Sequence, residues 1–340
     1  MGVNKISNDI AIDFGTLNTK IYIKGQGLVL NEPSVIAYDN IAGETIAVGE
    51  EAYKMLGRTP DSITAVYPVS GGVINDATLA EELLKALLRR VCPKTLIKPK
   101  LVISVPSGAT DIEKRALRDV ALMVGARSVY ITLSPIAAAI GSNCDVMPQR
   151  CLMVADLGGG ITDICAVSMG QPVANLSSDI SGNKFTEAII TYLSEKHSLS
   201  IGYQTAEEAK KKIGTVLKSG TTNTFDVAGI NLKTGAPSKL TITSDELCDA
   251  MSPVADELAE IFKNAVDSVP PENLGDVLED GILLTGAGAS LNGLIPRLKN
   301  DTELRLFLAE ENDFSVIKGL AAAVENPDKL PKELFEIYNV

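Results

Sequence analysis

The chain has 340 residues, 45 % hydrophobic and 22 % charged, which is enough for two domains with buried cores of their own. Lys and Arg number 31 against 43 Asp and Glu, a net charge of −12, so the basic footprint of a nucleic-acid binder is absent. One histidine, His197, and five cysteines without a CxxC pair exclude an HExxH metal site and leave zinc without a ligand set.

The N-terminal MGVNKISND has no apolar run, and no later stretch approaches the roughly 18 apolar residues of a membrane span. A reducing cytoplasm is the expected compartment. The first patterned segment is IAIDFGTLNTKIYI, residues 10–23. Apolar residues flank Gly15 to Thr19, which predicts two short strands, 10–14 and 20–24, joined by a turn. Leu79, Leu83, Leu84, Leu87 and Leu88 recur at three- and four-residue spacing and predict a helix; KPKLVISVPSG predicts a strand, and ATDIEKRALRDVALMVG a helix capped by Thr110 or Asp111. The turn-rich GSNCDVMPQR then marks a domain boundary.

CLMVADLGGGITDICAV, residues 151–167, repeats the plan of the first segment: strand, Asp, Gly turn, strand. Asp13 and Asp156 are equivalent and 143 residues apart. Such a repeat predicts two related α/β halves facing a common cleft. Gly15, Thr16, Leu17 and Asn18 on one side and Gly158, Gly159 and Gly160 on the other suit a phosphate cradle, because small residues let backbone N–H groups approach an anion. Asp13 and Asp156 would hold Mg²⁺, directly or through water, since hard cations prefer carboxylate oxygen. One such loop alone would read as an ordinary glycine turn with its Asp bonding the backbone; two matching loops favour the cradle. Neither is a Walker A motif, and GAGASL fails the GxGxxG pattern at Leu291.

TAEEAKKKIG reads as a helix start with a Thr205–Glu208 capping box, and sets Glu207 and Lys210 on one face, to clasp a ribose or each other. ELCDAMSPVADELAEIFKNAV carries a helical apolar stripe that predicts core packing. GILLTGAGASLNGLIPRL reads as a buried strand, a glycine loop (Gly286, Ala287, Gly288) and a helix capped by Ser290. That loop suits backbone contact with a nucleotide or an ordinary strand-to-helix turn equally.

Together IDFGTLNT, ADLGGGITD, TAEEAKKKIG and LLTGAGASLNGL resemble the phosphate loops and adenosine elements of the actin-like ATPase superfamily, and NEPSVIAY, SVPSGATDIEKRAL and SPIAAAIG resemble its MreB branch, collinearly from about residue 9 to about 325. The resemblance implies an actin-like α/β fold of two related domains around a nucleotide cleft. Domain I would comprise residues 1–145 plus 315–340, with a small subdomain near 32–70; domain II would comprise 146–314, with one near 182–243. It further implies ATP or ADP with Mg²⁺ in the cleft, polymerisation of the chain with itself and with other members of the branch, and a place at the inner face of the membrane.

Three departures stand out. The branch usually has Glu where Ser134 precedes PIAAAIG, and GGGTT where Ile161 replaces the first threonine; Thr162 and Asp163 remain. Serine cannot act as a base at neutral pH, so these substitutions imply weak ATP hydrolysis. In YPVSGGVIND, Ser70 and Gly71 replace a basic residue and Asp. In CPKTLIKPK, Leu96 and Ile97 sit among lysines, the pattern of a loop dipping into anionic lipid and equally of a solvated connection. A sugar kinase of the same superfamily is disfavoured by length, and a chaperone by the lack of a further domain; a nucleotide-dependent adaptor for other filaments stays open.

Overall fold

The computed structural model describes residues 9–92, 98–218, 220–327 and 330–339. Leu96 and Ile97 lie outside the described residues.

Two mixed sheets carry the fold. In the first, the hairpin Ile10–Phe14 and Asn18–Ile23 continues antiparallel into Gly27–Pro33 on one side. On the other side it continues parallel through Lys100–Val105 to Ser128–Leu133, and Glu336–Asn339 closes that edge antiparallel. The second sheet has the same order: the hairpin Leu152–Leu157 and Thr162–Ser168, then Gln171–Ser178 antiparallel on one side, and Ile282–Thr285 and Leu306–Leu308 parallel on the other. The 143-residue repeat is therefore a repeat of topology.

The strands alternate their buried faces. Ile10, Ile12, Ile21 and Ile103 point to a core shared with helices Ala77–Val91 and Asp111–Met123, and Thr110 caps the latter in a capping box with Glu113. Ala11 and Val102 face the opposite way, into a core that also takes Val154, Cys165 and Val167 of the second sheet. Helices Ser134–Gly141 and Ser315–Glu325 fill the space between the sheets. They cross closely because each places a glycine at the contact: a Cβ on Gly319 would lie 1.8 Å from the Ala137 carbonyl, and one on Gly141 1.8 Å from that of Ser315. The outer face of the second sheet packs on Gly182–His197 and Ser244–Asp267. Leu247, Met251, Leu258 and Phe262 of the latter are buried in this core, as the apolar stripe predicts.

Two three-stranded sheets, one of Ile36–Asp39, Glu44–Val48 and Ile63–Val66, the other of Leu199–Ser200, Thr224–Asn231 and Pro237–Thr243, and the two-stranded ribbon Val69–Ser70 with Val73–Ile74 make up the remaining strands among the described residues. Among the described residues no helix is long and apolar enough to cross a membrane.

Two local readings are corrected. Helix Tyr203–Ile213 begins after Gly202 with no side-chain cap, so Thr205 lies inside it; Glu208 pairs instead with Lys212 at 2.6 Å, one turn on. Ser290 ends a short 3₁₀ turn, Ala287–Ser290, and the following helix, Leu294–Thr302, starts at Gly293.

Candidate functional site

A cavity of about 450 Å³ lies where the two hairpins meet, lined by Asp13 to Asn18, Gly158 to Ile161 and Gly286 to Gly288. Each hairpin closes on the same bond, Gly15 N–H to the Asn18 carbonyl at 3.1 Å and Gly158 N–H to that of Ile161 at 2.9 Å. The turns interlock. A Cβ on Gly159 would fall 2.1 Å from Leu17 Cδ1, and one on Gly160 2.4 Å from Thr16 Cγ2, so this approach requires glycine on the second loop. Among the described residues the amides of Thr16, Leu17, Gly159, Gly160 and Ile161 have no protein acceptor. Two facing turns of unpaired N–H groups have the make-up of an anion cradle.

Strand register sets the charges beneath the cradle. Asp13 stands opposite Lys20 in the first hairpin, and Asp156 opposite Asp163 in the second. Burial raises the Asp13 carboxyl, and Lys20, 3.4 Å away, opposes that. Asp156 is pushed up to about 7 by burial, then by Asp13 and Asp163; Lys20 and the Thr285 hydroxyl only partly offset this. Asp13 and Asp156, both raised by burial and only partly offset by Lys20, are a donor set that would fit a hard divalent cation. Among the described residues no group of three or more His, Cys, Asp or Glu could hold a metal by protein ligands alone.

Asp163 is held from both sheets. It accepts from the Ser107 hydroxyl, from the Ser107 N–H at 2.8 Å and from the Ser177 hydroxyl at 2.8 Å; burial raises its carboxyl and these bonds work against that. Ser134, the first residue of its helix, and Ile161 both line the cavity. Thr162 does not line it: fully buried, it donates to the Ile180 carbonyl at 2.6 Å. Of Ser70 and Gly71, Ser70 is exposed, while the next residue, Gly72, reaches the cradle and donates to Thr16 Oγ1 at 2.8 Å.

At the other end of the cavity Glu207 and Lys210 clasp each other at 2.7 Å. Lys210 also donates to the Gly182 carbonyl at 2.7 Å and the Thr186 hydroxyl at 2.8 Å, and that hydroxyl donates to Glu207. The pair thus braces helix Tyr203–Ile213 against the start of Gly182–His197. Asn312 straps the Gly286–Gly288 loop, donating to the Gly286 carbonyl at 2.6 Å and to Ser290 at 3.0 Å.

Sequence reasoning missed Lys20, Asp313, Asn312, Ser107 and Ser177. Only Lys20 left a signal: it precedes Asp163 by the same 143 residues that separate Asp13 from Asp156.

Comparison with known proteins agrees with this geometry. The model of the family described as MreB/Mbl protein matches residues 7–332. The cell shape-determining protein Mbl of Bacillus subtilis (strain 168) is 37 % identical over 327 residues, 96 % of this chain and 98 % of Mbl. The cell shape-determining protein MreB of Escherichia coli (strain K12) is 38 % identical over 335 residues, covering 97 % and 96 %. Among solved structures, MreB5 of Spiroplasma citri bound to ADP superposes with a TM-score of 0.88 at 31 % identity, covering 93 % of this chain and 96 % of that one. The AMPPNP-bound form gives 0.89 at 31 % identity, covering 94 % and 96 %. The MamK double helical filament shares the fold at 0.80, with 20 % identity, covering 96 % and 100 %. A duplicated sheet topology, facing glycine turns over paired carboxylates and similarity along nearly the whole length converge: the chain belongs to the MreB/Mbl family.

Proposed function

We propose that this protein binds ATP and ADP with Mg²⁺ between its hairpins and polymerises into filaments that serve cell shape or motility, hydrolysing ATP weakly. The observation that carries the reading is the pair of interlocked glycine turns with unpaired amides above Asp13 and Asp156. The names of the relatives, cell shape-determining proteins, and of MreB5 bound to ADP and AMPPNP, support it. In this reading residues 1–145 and 315–340 form one domain and 146–314 the other, and nucleotide bridging the two turns favours the closed, filament-competent arrangement. The chain works from the cytoplasm and meets membrane peripherally through Leu96 and Ile97; replacing both with Ser then abolishes pelleting with anionic liposomes, and unchanged pelleting dismisses the loop.

What surrounds the cradle supports weak hydrolysis. Ser134 offers no base and Ile161 no hydroxyl, and Asp163 already accepts three hydrogen bonds. Loss of positioned acid–base help costs about 10²–10⁴ in rate. The test is phosphate release and pelleting in one ATP·Mg²⁺ sample, for the native chain and for Ser134→Glu with Ile161→Thr. Filaments with slow release that the double change accelerates are expected. Fast native release refutes the weak-hydrolysis reading, and nucleotide binding without filaments favours an adaptor acting on filaments of related chains.

A further inference from the structure

Polar side chains form a row across the first sheet beneath the cradle. Asp13 stands opposite Lys20 on the next strand. Ser104 and Asp13 each follow by one residue the paired Ile103 and Ile12, and Thr132 pairs with Ser104. Four adjacent strands, Asn18–Ile23, Ile10–Phe14, Lys100–Val105 and Ser128–Leu133, therefore carry Lys20, Asp13, Ser104 and Thr132 side by side. Residues level with one another on adjacent strands project from one face. Here it is the face on which Ala11 and Val102, two residues before Asp13 and Ser104, join the core between the sheets.

Lys20, Asp13 and Ser104 line the cavity, and Thr132 does not. Thr132 is 4 % exposed, and its Oγ1 has no hydrogen-bond partner among the described residues. A buried hydroxyl without a partner is destabilising, and a valine of the same shape avoids that cost. Its row neighbour Ser104 is the route from Thr132 to the cavity. Adjacent strands lie about 4.8 Å apart, and one water with its oxygen about 2.8 Å from each hydroxyl spans that gap. Further along the row Lys20 takes Asp13 Oδ2 at 3.4 Å, which leaves Oδ1 for a donor from the other side. An ionised carboxylate only accepts, so the donors align towards it: Thr132 to the water, the water to Ser104, and Ser104 to Asp13.

We propose that Thr132 and Ser104 hold an internal water, and that this relay fixes the Asp13 carboxylate from the side opposite Lys20, making Thr132 a positioning residue for the divalent cation of the nucleotide site. The cation role rests on the nucleotide reading above; the water site does not. No covalent bond is made or broken, and each group keeps its proton.

Two quantities are measured for the unaltered protein, Thr132→Val, Thr132→Ser and Ser104→Ala: the melting temperature in EDTA without nucleotide, and the Mg²⁺ concentration that gives half the full gain in ADP affinity. Thr132→Val fits the same space but evicts the water, and is expected to melt about 2 °C lower or more and to need about tenfold more Mg²⁺. Ser104→Ala breaks the same relay and should need as much Mg²⁺, with no further loss when the two changes are combined. Thr132→Ser keeps the hydroxyl and should keep the Mg²⁺ requirement of the parent, which a change in packing alone would not restore. Thr132→Val melting at or above the parent means that the hydroxyl is dry and overturns the proposal. An unchanged Mg²⁺ requirement in Thr132→Val overturns it as well. If the unaltered protein binds no ADP at any Mg²⁺ concentration, the nucleotide reading falls and the cation role with it, while the sign of the melting shift still decides the water site.

Discussion

Asp156→Asn should stabilise the nucleotide-free protein, although it alters a residue at the heart of the site. The Asp156 carboxyl is pushed up to about 7 from an ordinary 3.8. The folded state therefore retains a proton that the unfolded state has released, so stability falls as pH rises between those values and the whole penalty is present above the higher one. A displacement of about three units at 1.36 kcal/mol each sets an upper bound of about 4 kcal/mol. Solvent in the cleft screens part of this, and the new amide must place its own protons, so a gain of about 1–2 kcal/mol at pH 8 is the expectation. At pH 5.5 roughly half the penalty exists, and the gain should shrink accordingly. Urea unfolding in EDTA at the two pH values measures both. A variant less stable than the parent at pH 8, or equally stabilised at both, refutes the claim that an uncompensated charge resides there. On the proposed nucleotide reading, added ADP with Mg²⁺ should stabilise the parent more than Asp156→Asn, because the variant offers the cation one carboxylate fewer.

Gly319→Ala drives a methyl into the Ala137 carbonyl and should cost about 2–3 kcal/mol in urea unfolding; a midpoint unchanged from the parent would show that the helix pair between the sheets is not closely packed. Gly160→Val meets Thr16 Cβ and Cγ2 and should weaken ADP binding by at least about tenfold by forcing the two turns apart, with the fold retained by circular dichroism; undiminished affinity would remove the cradle from the argument. Asn312→Ala loses its bonds to Gly286 and Ser290 and should lower both stability and ADP affinity by about 1 kcal/mol, read by thermal shift with and without nucleotide; no change in either measurement counts against the strap.

What the sequence made legible was local or repeated. Asp13 and Asp156, Gly15 and Gly158 announce themselves because a strand, a carboxylate and a tight turn recur at one spacing, and both sheets keep that order. Glu207 and Lys210 were readable for the same reason, being one helical turn apart. The remainder depends on chain segments that only the fold unites. Asp313 reaches Lys20 from 293 residues away, and Ser107 reaches Asp163 from 56. The capping box at Thr205 failed because its Thr-to-Glu spacing is one helical turn and fits a helix interior as well as a start, and the chain had already turned helical at Tyr203.

The duplication explains the shape of the cradle; its imperfection explains the chemistry. Gly15 and Gly158 keep one turn geometry and Asp13 and Asp156 one place beneath it, which makes the site symmetric towards an anion. Seven residues beyond each Asp the two hairpins part. In the first, Lys20 supplies the buried positive charge. In the second, Asp163 receives Ser107 from the loop after Lys100–Val105, a strand of the first sheet, together with Ser177 of its own sheet, and so ties the two sheets beneath the cleft. An acid held in that way is fixed as a joint between halves, and is poorly placed to take a proton from water. Asp163, two residues from Ile161, already accepts three hydrogen bonds, which supports the slow hydrolysis proposed on the grounds of Ser134 and Ile161.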